Sequence, residues 1–393
     1  MNLLYISSFQ FKQKNGDTFA LAAYGNNFWT KYLDVFENIR VLGENTKAYL
    51  STDDMVKLTD ERITVKIIPA NTHPKDFKND FKIRKILKRE ISETSAILIK
   101  PSSRKGMMAI KIAEKLNKPY MIELTGDIRL SLGTKNDILK RMYAPYLYMK
   151  IKRAIKNTPY GLYVSEGYLQ GVYPIAGKQC GCTDTVIKNI DESILKKRIE
   201  KISSKKENEK YIIGLVGTYH DAHKGIDTAI RALSALKYKN TELHILGSGI
   251  EKDRERWIEF AEGLGAEKRV FFPKPLKSVE DVLEWIDSID IMVLPSRGEG
   301  LPRCIVEAMS RACPCITSDV CGLPELIDKK WLHSPGDYKK MAELIDGIIS
   351  DEKLLIEAAE TNFGHSKHFL FDTLREKRNR FLTDFKDYCE KKV

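Results

Sequence analysis

Two glutamates stand eight positions apart, Glu299 and Glu307, in the stretch RGEGLPRCIVEAMS (297–310). Glu299 lies between Gly298 and Gly300 in a Gly/Pro loop, and Glu307 lies in the helix that follows. A solvated charge is the plainer reading of any single helix glutamate, but Glu307 is set among Ile305, Val306, Ala308 and Met309. A carboxylate so placed can accept hydrogen bonds from two vicinal hydroxyls, as on a ribose. Upstream, GTYHDAHKG (217–225) presents Gly217, Thr218 and Lys224 ahead of another helix. GSG (247–249) presents Gly247 and Gly249, and PKP (273–275) presents Lys274 and Pro275. Glycine lets a backbone approach a ligand closely, and a helix N-terminus offers open N–H groups and a positive dipole end to an anion. A lysine, a helix end and glycine loops together suit a diphosphate.

These loops all follow apolar runs. In the second half, YIIGLVG, ELHILG, RVFF, IDIMVLPS and PCITSD alternate with helical patterns such as IDTAIRALSAL, RERWIEFAEGLG, SVEDVLEWIDS and CIVEAMSRA. In the first half, strands are predicted at 3–7, 63–68, 96–99, 120–124 and 160–164, with a helix over GMMAIKIAEKLNKP that ends before Pro119. Strand–helix alternation with Gly or Pro at the strand exits implies α/β architecture with parallel sheets covered on both faces. Two such units in tandem predict two Rossmann-like domains, at 1–190 and 191–365, joined near the lysine-rich stretch 189–210. Residues 366–393, which follow the end of the second sheet, read as an amphipathic helix with Phe369, Leu370, Leu374, Phe381 and Phe385 on one side. In open α/β sheets ligands gather outside the carboxyl ends of the strands, where the loops above fall.

The 393 residues, 42% hydrophobic and 30% charged, fit a globular chain of two domains. No apolar run approaches the roughly 18–20 residues of a membrane-spanning helix. MNLLYISSFQ reads as a first core strand rather than a signal peptide. The seven cysteines form no CxxC pair, which points to reduced structural thiols and a cytoplasmic protein. There is no DxD motif and the histidines do not cluster, so no metal and no cofactor is demanded. GSGIEK departs from GxGxxG at its last position, and Lys224 is followed by Gly225 rather than Ser or Thr. A nicotinamide dehydrogenase and a P-loop nucleotidase are thereby disfavoured.

The segments VGTYHDAHKGIDTAIRAL, ELHILGSG, RVFFPKP and IDIMVLPSRGEGLPRCIVEAMSRACPCITSDVCGLPELI, over 211–328, resemble the C-terminal half of a family 4 retaining glycosyltransferase of the GT-B fold. That fold has two Rossmann-like domains facing across a cleft, and its E-x7-E motif corresponds here to Glu299 and Glu307. Its final helix crosses back to the N-terminal domain, so the resemblance implies that 366–393 pack back on the first domain. The resemblance implies that Glu307 binds the ribose hydroxyls of a nucleotide-sugar and Glu299 the donor sugar. Lys224 and the Gly300–Leu301–Pro302 turn would hold the diphosphate, with Gly217, Gly247 and Gly249 close by, while Lys274 and Pro275 frame the base. The family commonly carries an arginine where this chain has Thr218; Arg303 and Arg297 are the candidate replacements. The first half matches more loosely, through KPYMIELTGD and YVSEGYLQGVYP. Members often place a histidine after its fourth strand, where this chain offers Asp127, with a loop or capping role as the plainer reading. Gly16, in QKNGDTFA, is the candidate for a flexible loop facing the donor. The implied reaction moves a sugar, from a UDP-sugar by preference or a GDP-sugar, to a saccharide or lipid-linked saccharide in bacterial capsule or lipopolysaccharide assembly. The alternatives kept are a GT-B nucleotide-sugar epimerase and a non-catalytic sugar-nucleotide binder.

Charge is unevenly spread. Residues 1–200 hold 34 Lys and Arg against 21 Asp and Glu, whereas 201–393 hold 31 against 33. The stretches 73–90 and 138–157 interleave basic with aromatic and aliphatic residues, in the manner of a surface that sits on anionic lipid headgroups. The plainer reading is a solvated basic face. The charge lies away from any nucleic-acid-binding module, so a nucleic-acid partner is not expected.

Overall fold

The structure, a computed structural model, describes all residues except 47–51, 53, 54, 72, 73, 134–137, 186, 189, 207, 221, 277 and 393. The chain divides into two compact units. One comprises Met1–Ile128, Tyr143–Cys182 and Arg375–Val393; the other comprises Arg129–Met142 and Thr183–Leu374.

The first unit is built on a nine-stranded sheet among the described residues. Its parallel path runs Ile63–Ile68, Asn38–Asn45, Asn2–Lys14, Ala96–Ile99, Tyr120–Leu124, Tyr160–Tyr163 and Lys178–Gly181. AILI and YMIEL are buried at every position, the continuous burial expected of strands covered on both faces rather than on one. Two of these strands, Asn38–Asn45 and Lys178–Gly181, are absent from the sequence-based set, because NIRVLGEN and KQCG mix polar with apolar residues. The first strand runs past Ile6 through a register shift and turns back at Asn15–Gly16 to pair antiparallel with Asp17–Ala20. Both turn residues have positive φ, 53° and 85°, which is the Asn-Gly hairpin pattern.

The second unit holds a six-stranded, wholly parallel sheet in the order Val270–Phe271, Thr241–Leu246, Tyr211–Val216, Ile291–Leu294, Cys315–Ser318, Leu332–His333. Chain order reverses between Tyr211–Val216 and Ile291–Leu294, so the crevice that binds ligands in such sheets opens at the ends of those two strands. The intervening helices Ile226–Ala235, Glu251–Glu262, Val279–Ser288 and Arg303–Ser310 carry one buried face each. IMVL and CITS are buried throughout.

The expected join at 189–210 is instead a helix, Glu192–Ser203, within the second unit. Its lysines mask an apolar face: Ile194, Leu195 and Ile202 pack against Ala359 and Phe363. The buried Arg198 donates to the carbonyls of Ile289 (2.6 Å) and Ile286 (2.9 Å), satisfying the open end of helix Val279–Ser288. The division therefore falls at Cys182/Thr183, ahead of the expected 190. Helix Glu352–Ser366 belongs to the second unit, and a separate helix, Phe371–Glu390, follows it. From Arg375 onward this last helix is part of the first unit. Arg375 binds the Asp34 carboxylate at 2.7 and 2.8 Å, and Phe385 lies 5.3 Å from the ring of Tyr160.

Candidate functional site

The loops after the two switch-point strands meet through one ion pair. The Lys224 ammonium lies 2.6 Å from Glu299 Oε1, with the two side chains 25% and 10% exposed. Ser296 donates to the same oxygen at 2.7 Å, and the Glu299 amide donates to Cys321 Sγ at 3.2 Å. Lys224 is placed by a tight turn. Gly225 has φ 71°, and a Cβ there would stand 2.0 Å from the Pro295 carbonyl oxygen, so only glycine fits. Arg297 forks onto Asp227 at 2.8 and 2.6 Å, and its amide donates to the His223 carbonyl at 2.8 Å. These bonds pin the Glu299 loop to the start of helix Ile226–Ala235.

The neighbouring loops close in by backbone contact. Gly217 N–H donates to Leu246, Tyr219 N–H donates to Ser248, and a Cβ on Gly247 would stand 1.8 Å from the Gly217 oxygen. Gly249 lies under Tyr219, whose ring meets Phe272 edge-on at 5.2 Å. The 273–275 loop is thereby held beside 217–219, with Lys274 and Pro275 exposed and Thr218 half-buried. All the second-unit residues singled out from the sequence are thus gathered at one end of one sheet.

Helix Arg303–Ser310 begins at Pro302 without a side-chain cap. The Ile305 amide donates to the Pro302 carbonyl at 3.2 Å, and a helix start of this kind can take an anion on its leading amides. Leu301 is buried and Gly300 accepts from Gly322 N–H at 3.2 Å, which fixes the turn leading into that helix. Glu307 is 13% exposed and lies 3.7 Å from Arg303, itself 62% exposed. Burial pushes the Glu307 carboxyl above its usual range, against the pull of Arg303. Of the two arginines that could replace the missing cation at Thr218, Arg297 is engaged by Asp227, while Arg303 extends from the helix start.

The first-unit candidates sit within their own unit. Gly16 is the exposed tip of the Asn15–Gly16 hairpin, where its positive φ accounts for glycine by itself. Asp127 is buried and accepts hydrogen bonds from Tyr168 (2.9 Å) and Tyr173 (3.0 Å), whose hydroxyl also receives the Ile128 amide at 3.1 Å. It therefore braces the turn into helix Ile128–Gly133. The sequence reading passed over Ser296, Asp227 and the 319–323 loop that carries Cys321. Yet that loop follows strand Cys315–Ser318 and holds Gly322, the same signal that marked its neighbours.

The arrangement can hold a compound with clustered negative charge and vicinal hydroxyls. Among the described residues no group of three His, Cys, Asp or Glu could hold a metal ion. Comparison with known proteins agrees in kind. Residues 196–362 match the family described as Glycosyl transferases group 1. The chain is 27% identical to Protein CapJ of Staphylococcus aureus over 98% of this chain and 96% of that protein. It is 24% identical to the capsular polysaccharide biosynthesis glycosyltransferase CapM of Staphylococcus aureus, over 48% of this chain and 50% of that one. Among solved structures, Anabaena HepE in complex with UDP superposes with a TM-score of 0.68 at 15% identity, covering 98% of this chain and 100% of that one. The family match lies over the unit that carries the Lys224–Glu299 pair, and the chain is a glycosyltransferase of the GT-B fold whose residues 196–362 are similar to the Glycosyl transferases group 1 family.

Proposed function

We propose that the protein transfers a sugar from a nucleoside-diphosphate sugar to a saccharide or lipid-linked saccharide acceptor, with retention of anomeric configuration, in the assembly of a bacterial cell-surface polysaccharide. The observation that carries this reading is the Lys224–Glu299 pair at the sheet switch point, beside an uncapped helix start. In it, Glu307 accepts hydrogen bonds from the ribose hydroxyls and Glu299 from the transferred sugar. Lys224, Arg303 and the amides after Pro302 hold the diphosphate, with Thr218 alongside. Gly217, Gly247 and Gly249 let the backbone close on the nucleotide, and Lys274 and Pro275 border the base. Asp127 is the first unit's catalytic candidate, offered to the donor sugar where the family often has a histidine.

In the reaction the bond between the donor's anomeric carbon and the diphosphate oxygen breaks, and the acceptor oxygen bonds to that carbon. The acceptor proton leaves with the nucleoside diphosphate or solvent. Charge grows on the departing oxygen, so fixed cations and dipoles aimed there lower the barrier most. Lys224 has three N–H donors and can keep Glu299 while reaching a phosphate oxygen. UDP is favoured because HepE was solved with UDP and with UDP-glucose, and GDP is the second choice. A polysaccharide acceptor is favoured by the capsular role named for CapM, and retention by the resemblance to the retaining family 4 enzymes alone. Residence on the cytoplasmic membrane surface is favoured by basic, aromatic-bearing helices of the first unit.

The test is release of nucleoside diphosphate from UDP-glucose, UDP-galactose, UDP-N-acetylglucosamine and GDP-mannose, with water as the fallback acceptor. One donor should be consumed by the wild type and at least 100-fold more slowly by Glu299→Ala, the order of loss when a group met mainly in the transition state is removed. An epimerised donor with no diphosphate released would instead establish the epimerase reading. Binding without turnover of any donor would establish a non-catalytic binder.

A further inference from the structure

Three cations of the first unit converge on one buried carboxylate. Strands Asn38–Asn45 and Ile63–Ile68 pair in parallel, with Arg40 opposite Thr64 and Leu42 opposite Lys66. Side chains alternate across a strand, so Arg40 and Lys66 share one face of the sheet. Helix Asp80–Ser92 buries Ile83, Leu87, Glu90 and Ile91, and its Glu90 receives both strand side chains together with Arg89 of its own last turn.

Glu90 is 2% exposed. Its Oε1 accepts from the Lys66 ammonium at 2.7 Å and from Arg89 at 3.1 Å, and its Oε2 accepts from Arg40 at 3.2 Å. Burial opposes ionisation, but the hydrogen bonds from Lys66, Arg89 and Arg40 hold the Glu90 carboxyl below its usual range. The cations come from three separate elements and remain open to solvent, with Arg40, Lys66 and Arg89 side chains 55%, 37% and 59% exposed. Among the described residues Glu90 is the one carboxylate within ion-pair reach of any of them. Nearby Arg62 is taken up by Asp60 at 2.7 Å. A lysine carries three N–H donors and an arginine five, and Glu90 uses one from each side chain. Three positive charges thus meet one negative charge, which engages a minority of their donors. A solvated basic face is different, because its long side chains must be ordered when a ligand arrives. Here a buried carboxylate has ordered them beforehand, which lowers the cost of binding.

We propose that Arg40, Lys66 and Arg89 form a binding site for a phosphate monoester, with Glu90 holding the three side chains in place. A monoester brings close to two negative charges and three acceptor oxygens, and planar guanidinium forks suit those oxygens in pairs. A carboxylate ligand brings one charge and two oxygens, and binds more weakly. Two sources carry the phosphate group. One is a lipid headgroup, favoured by the exposed Phe81, Lys85 and Lys88 on the same helix; the other is a soluble phosphorylated compound. The site uses neither the donor crevice nor the transfer reaction, so it stands apart from the proposed function.

The experiment is NMR titration of the full chain with glycerol 3-phosphate and, at equal ionic strength, acetate. Wild type, Arg40→Met, Lys66→Met, Arg89→Met and Lys88→Met are compared, the last removing a charge from the same helix outside the cluster. The wild type should bind glycerol 3-phosphate at least tenfold more tightly than acetate, with saturable shifts of the Arg40 and Arg89 side-chain resonances. Each of the three cluster variants should lose about tenfold or more, the scale of one charge-assisted hydrogen bond, and Lys88→Met should stay within twofold. Vesicles containing phosphatidic acid or phosphatidylglycerol, matched in surface charge, separate the sources. A preference for phosphatidic acid that Arg40→Met abolishes assigns the lipid headgroup. Binding of glycerol 3-phosphate without that preference assigns a soluble ligand. Absence of saturable Arg40 and Arg89 shifts in the wild type would overturn the proposal, even where a methionine variant fails to fold. A loss in Lys88→Met equal to that of the cluster variants would overturn it too, leaving only a diffuse basic face.

Discussion

Glu307 is where stability and binding pull against each other. Its carboxyl is pushed up by burial, so folding favours the protonated form. Above the raised value the buried charge costs stability, and that cost disappears as pH falls toward the ordinary carboxylate value. Glu307→Gln should therefore raise the melting temperature of the unliganded protein at pH 7 by about 2–4 °C, the shift that ~1 kcal/mol gives in a domain of 150–250 residues. The gain should vanish near pH 4. The same variant should bind nucleotide at least tenfold more weakly, because a neutral amide is a poorer acceptor for a diol than a carboxylate. Melting curves at two pH values check the first half, and calorimetric titration checks the second. A variant that is less stable at pH 7 would show that Glu307 is a structural ion-pair partner of Arg303 instead. Roles for Glu299 and Lys224 could be framed from sequence because each stands in a loop after a strand, and for Glu307 because it sits among apolar residues of a helix. Ser296, Asp227 and Cys321 could not, because they matter through contacts 3 to 70 positions apart in the chain.

The elements hold the site through turns that tolerate little change. Gly225 combines a left-handed φ with a carbonyl at the place of a Cβ, so Gly225→Ala cannot relax without moving Lys224. We expect a loss of more than about 1 kcal/mol in stability, above the usual gain or loss at unstrained glycines. Nucleotide affinity should fall as well, because the displaced residue adjoins Lys224. Urea denaturation against Gly265→Ala as a control for positive φ without a close contact separates strain from collision. Most of the second sheet could be read from its sequence, since YIIGLV, TELHIL, IMVL and CITS are apolar runs broken by Gly, Pro or Ser. The first sheet was less open. Asn38–Asn45 puts Arg40 and Glu44 among its apolar residues, and Glu44 is buried only because Lys105, 61 positions on, neutralises it. Helix Glu192–Ser203 was misread for the opposite reason: four of its twelve residues are Lys or Arg, yet Arg198 is turned inward onto carbonyls that a sequence does not reveal.

At the scale of the whole molecule, charge is the feature the donor site does not absorb. From Ile63–Ile68 the chain moves across the first sheet in one direction, so right-handed crossovers put helices Asp80–Ser92, Arg104–Lys115 and Ile138–Ile155 on one face. The outer ones carry exposed apolar side chains among cations. Phe81 is 82% exposed beside Arg84, Lys85 and Lys88; Tyr146 and Met149 are 51% and 44% exposed beside Lys150 and Arg153. Lys140 and Arg141, also in the basic stretch, have side chains outside the described residues. No described helix is long and apolar enough to cross a membrane. The proposed membrane contact is made by these exposed side chains, and basic residues there add about 1 kcal/mol each near anionic lipid. Vesicles with 30% phosphatidylglycerol, by mole, should sediment the protein at 50 mM salt and release most of it at 500 mM, as screening shortens the reach of the charges. Phe81→Ser with Met149→Ser should weaken binding at both salts. Equal recovery with neutral vesicles, or no recovery at all, would refute the contact.

The central claim is that the crevice around Lys224, Glu299 and Glu307 binds a nucleoside diphosphate. The most direct measurement is calorimetric titration of UDP, GDP, ADP, CMP and NAD into the wild type, Lys224→Met and Glu307→Ala. The account predicts that one nucleoside diphosphate, UDP first, binds the wild type. Each variant should lose roughly 1.5–3 kcal/mol, the range for a hydrogen bond to a charged group, or about 10- to 150-fold in affinity. Binding of NAD alone, or of a nucleoside diphosphate with unchanged affinity in both variants, would contradict it.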